Sequence, residues 1–238
     1  MGSLSEIDEK RRRFLLQVLA TAAFTTTVGC STSSTGLTSE LPAGRSIHAL
    51  TGDVRVNGVP ASVLTLISPG DIIETFDRSF VIFVVQKDAF ILRSNSIMTL
   101  PGRTAIPGII STAFTLERGK ALSVLASRRT NISTPSAVIG VRGTGVYVEA
   151  EPDLSYVCVC YGTSDVTTRD NPGITETIVS DHHTARYILA DKSASQRIIP
   201  APFKNHDDQE LLLIETLVGR TPPFIVPRGV IRTRGSYL

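Results

Sequence analysis

Short runs of β-branched and aromatic residues, divided by Gly, Pro, Asn and Asp, fill the chain from residue 46 to residue 192, and no helical period occurs before residue 207. Runs this short, bounded by turn residues, are typical of β-strands. Turns are predicted at Asn57-Gly58 and at residues 170–173, where the local residue types favour tight reversals. The sequence therefore predicts an all-β fold, a compact β-roll or sandwich of many short strands. The candidate strands are 46–51, 72–76, 80–86, 89–92, 119–126, 145–150, 155–161, 164–168, 175–179 and 185–190.

One helix is predicted near the end of the chain, over residues 207–218. Asp207 or Asn205 supplies a cap, and the acidic residues of the first turn match the positive end of the helix dipole. An apolar stripe follows in residues 211–218, and Gly219 ends the run before two prolines. We expect this helix to cover an open end of the β body; a helix that docks on a partner is the alternative.

The N-terminal segment is typical of an export signal. Residues 10–13 are basic and residues 14–29 carry no charge, but this stretch is shorter than the about 20 apolar residues that span a bilayer. The run Arg-Arg-Arg-Phe-Leu-Leu at residues 11–16 resembles the twin-arginine signal. We therefore expect residues 1–29 to be a signal peptide, which places the protein in the periplasm or cell envelope. A basic amphipathic start of a soluble protein is the alternative.

Cys30 ends the apolar stretch in a context that resembles a lipobox, although Thr27 stands where that pattern prefers Leu. The small polar residues that follow suit a flexible tether over residues 30–45. The expectation is a lipid on Cys30 that anchors the protein to a membrane. An incidental cysteine, in a signal that is cleaved elsewhere or retained, is the alternative.

The charge balance argues against nucleic acid as a partner. The chain has 24 Lys and Arg against 22 Asp and Glu, a net charge of +2, and no basic run follows residue 13. The membrane, reached through the lipid, and an envelope protein remain as candidate partners. Self-assembly and the choice between inner and outer membrane are left open.

Several spaced motifs resemble the FecR-like periplasmic domain family. They lie, in the family's order, at residues 51–58, 69–75, 116–120, 134–135 and 139–148. The resemblance implies an exported domain over residues 46–192, followed by a C-terminal extension over residues 193–238. The family's best-known members relay iron-uptake signals through a cytoplasmic segment that handles a sigma factor. Only about 13 residues precede the apolar stretch here, so that role is not carried over.

The most recognisable motif of this resemblance contains Gly140, Arg142, Gly143, Thr144 and Gly145. Its glycines permit backbone angles or close approaches that other residues cannot adopt. Thr144 is expected to bond a neighbouring amide in a turn. Arg142 is expected to bridge carbonyl oxygens beneath that turn, with binding of an anionic ligand as the alternative.

The candidate chemistry lies in Cys158, Cys160, His182 and His183. Alternate residues of a strand share a face, so both sulfurs point the same way. The histidines follow two strands later, where a meander returns beside the cysteines, and Asp181 is placed to orient a ring. Such a set suits a transition metal: zinc, copper or iron. Adjacent histidines on a regular strand face opposite sides, so only a turn or bulge brings both to one ion.

Other interpretations of these residues stay open. The cysteines are alternatively small buried hydrophobes, a strained disulfide, or, as Cys160 with His183, a nucleophile pair. His48 falls on the first strand, and His206 is predicted to be a surface or capping residue. Since no catalytic motif occurs, we expect a ligand-binding or sensory module and not an enzyme. A metal- or thiol-dependent envelope enzyme or redox protein, and a scaffold without ligand, are the alternatives.

Overall fold

The structure, a computed structural model, describes residues 40–102, 111–126 and 128–224, without the side chain of Ser111. The predicted signal peptide, Cys30 and most of the predicted tether lie outside the described residues. The chain divides into two units, residues 1–40 and residues 41–238, and the fold concerns the second. No helix among the described residues has the length and apolar character needed to cross a bilayer.

The described residues form an all-β body with a single helix, α1, near the C-terminal end, which confirms the predicted fold class. The elements in chain order are β1 (Ile47–Thr51), β2 (Val54–Val56), β3 (Val59–Pro60), β4 (Ile72–Thr75), β5 (Phe80–Val85), β6 (Asp88–Leu92), β7 (Ser96–Thr99), β8 (Ser111–Val124), β9 (Arg129–Ser133), β10 (Ala137–Ala150), β11 (Leu154–Thr168), β12 (Asn171–Ser180), β13 (Thr184–Leu189), β14 (Ile198–Pro200) and α1 (Asp208–Leu217).

These strands belong to one sheet, in the main order β14-β13-β11-β10-β9-β8-β7-β4-β2-β3, with β1, β5, β6 and β12 paired at its sides. Neighbours run antiparallel except β8 and β9. Residues from β1, β2, β8 and β11 share one buried apolar cluster. The single sheet therefore encloses its own core, as strands with one apolar face do when they bury that face.

A long hairpin of β10 and β11 organises the sheet. The sequence divided β11 into two strands, but the structure keeps it continuous from Leu154 to Thr168. The pairing register shifts around Gly145, and Gly162 adopts a positive φ of 91°. A Cβ on Gly145 would lie 2.5 Å from the ring of Tyr161, so only glycine permits this approach.

The register shift divides the hairpin into two halves. The motif half comprises residues 137–142 and 163–168, flanked by β9 and β12. The cysteine half comprises residues 145–150 and 154–161, flanked by β8 and β13. β10 and β11 thus each pair with a different outer strand in the two halves.

Two turn predictions had different outcomes. Asn57 and Gly58 have φ values of 54° and 76° and join β2 to β3 as predicted. The turn predicted at residues 170–173 instead lies at Arg169 and Asp170, because Thr168 already pairs with Asn171. Pro172 is tolerated within β12 because that strand pairs only with β11 and needs no second ladder of donors.

Helix α1 closes the body. Asp207 accepts a hydrogen bond from the backbone of Glu210, whose side chain bonds the Asp207 amide in return, a complete capping box. Leu211, Ile214 and Leu217 form the buried face of α1, and the helix packs against β6 and β8. Together with β14, which pairs with β13, the helix makes the described part of the predicted extension an integral part of the body.

A candidate Cys2His2 metal centre

Four side chains with metal-ligating atoms converge between the cysteine half and the start of α1. The sulfurs of Cys158 and Cys160 and one ring nitrogen each from His183 and His206 all lie within 4.8 Å of one another. Both cysteines and His206 are fully buried. The structure thus brings together three of the four predicted residues and adds a fourth that the sequence analysis placed elsewhere.

The two cysteines occupy alternate positions of β11, as predicted. Their neighbours Val157 and Val159 belong to the apolar core inside the sheet. The sulfurs therefore point away from that core, towards α1 and the segment that precedes it. Neither cysteine is in a disulfide.

His183 reaches the sulfurs because the chain turns between β12 and β13. It has a φ of 51°, in the left-handed region, and its backbone N–H donates to the carbonyl of Cys160 at 3.0 Å. Because the chain turns here, the two adjacent histidines do not face opposite sides as they would on a strand. The ring centroids of His182 and His183 lie 4.3 Å apart. Only His183 faces Cys158, at 3.8 Å from Nδ1 to Sγ; Nε2 of His182 lies 2.9 Å from Oδ1 of Asp208.

His206 corrects the sequence analysis, which predicted a surface or capping residue. Its ring is fully buried and stacks on Tyr147 with a centroid distance of 4.5 Å. The cap is Asp207, the next residue. Asn205 turns the chain with a φ of 63° while its side chain donates to Glu149 at 2.6 Å, and this reversal directs His206 inward. Its only sequence signal is its position just before an acidic helix start.

Hydrogen bonds fix which nitrogen of each ring faces the cluster. Nδ1 of His206 lies 2.8 Å from the carbonyl of Lys204, and a carbonyl only accepts, so this nitrogen carries the proton. Nε2 of His183 lies 2.8 Å from Oδ1 of Asp208 and donates in the same way. The remaining nitrogens, Nε2 of His206 and Nδ1 of His183, lie 3.2 Å apart, and either a shared proton or a metal ion that replaces it can join the two rings.

The separations match a tetrahedral ion. A Zn²⁺ ion with Zn–S bonds of about 2.3 Å and Zn–N bonds of about 2.0–2.1 Å holds its nitrogens about 3.3 Å apart and each nitrogen about 3.5 Å from a sulfur. The nitrogens of His183 and His206 are 3.2 Å apart, and Nε2 of His206 is 3.4 Å from Sγ of Cys160. These two separations match a four-coordinate ion, whereas the 3.8 Å between Nδ1 of His183 and Sγ of Cys158 must shorten on binding.

The electrostatics of the cluster favour one thiolate. Burial opposes ionisation of Cys158, yet hydrogen bonding with Cys160, His183 and His206 outweighs it and lowers the pKa of Cys158 well below the usual range. Burial and the neighbouring Cys158 raise the pKa of Cys160. One sulfur is thus prepared as an anionic ligand, and the other gives up its proton when a cation arrives.

The predicted glycine motif lies apart from this cluster, in and beside the motif half. Arg142 is exposed and donates to Asp165 at 3.2 Å, instead of bridging carbonyl oxygens, because it stands within a strand and not beneath a turn. Thr144 is buried and its hydroxyl has no hydrogen-bond partner, contrary to the predicted amide contact. Gly143 has a φ of 63° and needs glycine, whereas a Cβ on Gly140 would make only ordinary contacts.

No family model matches this chain, and no curated protein matches it. Two crystal structures of a protein described as a "putative anti-sigma factor" from Parabacteroides distasonis are similar to it, with 18% sequence identity and a TM-score of 0.44. The similarity covers 59% of this chain and 62% of theirs. The resemblance to the FecR-like family stays a prediction.

Proposed function

We propose that the protein is a FecR-like binding or sensory module of the cell envelope that holds one transition-metal ion through Cys158, Cys160, His183 and His206. One observation carries the proposal: two imidazoles have their outer nitrogens held by acceptors, so that their inner nitrogens converge with two buried sulfurs. Outer acceptors of this kind orient histidines in metal sites.

Zinc is the ion that the donor set fits best. Two sulfurs and two imidazoles in a tetrahedron form a closed Cys2His2 site, and the borderline-soft Zn²⁺ accepts both donor types. Copper and iron bind similar donors and remain the alternatives. When bound, such an ion would cross-link β11, the turn between β12 and β13, and the segment before α1.

The same geometry favours binding over catalysis. Four protein ligands fill a tetrahedral shell, whereas catalytic zinc keeps a position open for water or substrate. Cys160 is fully buried, which leaves no approach for a substrate to a thiol nucleophile. We therefore propose a structural or sensory role for the ion and no enzymatic activity.

The location is proposed from the sequence alone, since the signal and Cys30 lie outside the described residues. A lipid on Cys30 would hold the β body at a membrane surface. Palmitate labelling of cells that carry the wild type or Cys30→Ala measures this directly. Equal labelling of the two proteins contradicts the anchor.

The metal proposal is tested by elemental analysis of protein purified without chelator, together with a free-thiol count after denaturation. We expect about one metal ion per chain and two recoverable thiols besides Cys30. Cys158→Ala and His206→Ala should lose the ion, and His48→Ala, which removes an imidazole from β1, should keep it. Free thiols without metal indicate simple packing, and missing thiols without metal indicate a disulfide; either result overturns the proposal.

A further inference from the structure

The buried cluster has one polar edge that reaches the surface. The side chain of His182 is 31% exposed, that of Asp208 17% and that of His183 8%. Cys158 and Cys160 behind them are fully buried. Exposure thus decreases from His182 through Asp208 and His183 to the two cysteines, and each of these side chains can bind a metal ion.

Asp208 connects the exposed His182 to the more buried His183. Its Oδ1 accepts from Nε2 of His182 at 2.9 Å and from Nε2 of His183 at 2.8 Å. Ligand atoms of these three residues lie within 4.8 Å of one another and form a second group with metal-ligating chemistry. The opposite nitrogen of His183 faces Cys158, so one ring belongs to both groups.

Two aromatic rings lie beside these histidines. Phe203 lies 4.3 Å from the ring of His183, and Phe224 lies 5.1 Å from the ring of His182. Apolar rings offer no ligand to replace the water that a hydrated ion loses on entry. Imidazole and carboxylate groups do, because both are ligands for Zn²⁺.

We propose that His182 and Asp208 form an entry port, a transient ligand pair that takes a divalent ion from solvent and passes it along the edge of His183 to the buried sulfurs. This inference rests on the proposed metal centre. On binding, the ion replaces the proton between Nε2 of His182 and Oδ1 of Asp208, and that proton leaves to water. Each ligand replaces a water molecule, and the ion leaves the port when Cys158 and Cys160 bind it.

Rates and the dissociation constant distinguish an entry port from a permanent ligand or a structural contact. By detailed balance, a group that binds the ion only in transit changes uptake and release by the same factor and leaves the dissociation constant unchanged. A resident ligand, or a residue that merely orients His183 through Asp208, changes the dissociation constant instead, typically by about 10–100-fold for an outer contact.

The experiment uses Co²⁺, whose absorption reports tetrahedral sulfur ligation, in stopped-flow uptake and chelator-driven release. In His182→Gln we expect both rates to fall by about tenfold, equivalent to about 1.4 kcal/mol of barrier. Stoichiometry and dissociation constant should match the wild type. His48→Gln, which alters an imidazole far from the port in sequence, should leave both rates unchanged. His182→Ala should be equally slow and regain speed in free imidazole, which does not accelerate the wild type.

Three results would overturn the port: wild-type rates in both His182 variants, a change in release alone, or a second bound Co²⁺ that depends on His182. The last result would make the pair a resting site. The two proposals fail separately in this experiment. A wild type that takes up no Co²⁺ defeats the metal centre, whereas normal uptake with unchanged variant rates defeats only the port.

Discussion

The two halves of the β10–β11 hairpin show how one pair of strands serves different purposes. In the motif half, buried and more exposed residues largely alternate, as expected where one face meets the core and the other meets solvent. In the cysteine half, residues 145–150 and 155–161 are buried on both faces. The difference shows that a second covering layer is needed to bury the face of β11 that carries Cys158 and Cys160.

A network of charged and polar groups joins the cysteine half to the segment that covers it. Glu149 is buried and accepts from Nζ of Lys204 at 2.8 Å, from Asn205 and from Tyr147. Burial opposes its ionisation, but these hydrogen bonds keep the pKa of Glu149 lowered. Because buried charges are tolerated only when paired, this network fixes the segment that carries His206.

The largest effect is expected from removing a metal ligand in the cysteine half. Cys160→Ala should abolish the stabilisation that an ion gives the folded chain, which is about 2.7 kcal/mol when the free ion is 100-fold above its dissociation constant. Urea unfolding with added Zn²⁺ and with a chelator measures the difference. The variant should show the same unfolding free energy in both conditions.

Ser164→Ala is the matched control in the motif half. Ser164 is also buried on β11, and its hydroxyl has no hydrogen-bond partner. Its removal should leave the full response to Zn²⁺ in place. If Zn²⁺ stabilised Cys160→Ala as much as this control, the metal would bind elsewhere and the contrast between the halves would fail.

A second, intermediate effect is expected at the boundary between the halves. In Gly145→Ala the new methyl group meets the ring of Tyr161 at 2.5 Å, and overpacking of this kind costs about 1–3 kcal/mol. Gly140→Ala, within the motif half, places its Cβ no closer than 3.6 Å to another atom. It should therefore change the unfolding free energy by no more than about 0.5 kcal/mol. Equal costs at the two glycines would show that the boundary is not specially constrained.

Much of the fold was predictable because its signals are local. β-branched runs marked β1, β4, β5 and most of β11, but only the second halves of β8 and β10. The acidic start and the glycine end marked α1. The short strands β7 and β9 were missed because they contain polar residues such as Ser96, Thr99 and Asn131 and lack a sustained apolar run. The continuity of β11 was missed because glycine at position 162 suggested a break where the structure has a bend.

Three of the four residues of the candidate site were predictable, and the fourth was not, for a physical reason. The shared face of Cys158 and Cys160 follows from strand geometry alone. The inward direction of His206 depends on Asn205 bonding Glu149, a residue 56 positions away in sequence. The choice of His183 over His182 depends on a left-handed backbone at His183, which neighbouring residue types did not indicate.

The smallest effect is expected at Arg142, although it lies in the most recognisable sequence motif. Its guanidinium and the carboxylate of Asp165 are 49% and 34% exposed, and such ion pairs contribute about 0–1 kcal/mol. Arg142→Ala should therefore lower the unfolding free energy by less than about 1 kcal/mol and leave metal content unchanged. Urea unfolding at low and high salt checks this, since salt screens an exposed pair and should reduce the difference between variant and wild type. A larger loss, or a loss of metal, would mean that the motif half supports the cysteine half through contacts beyond this pair.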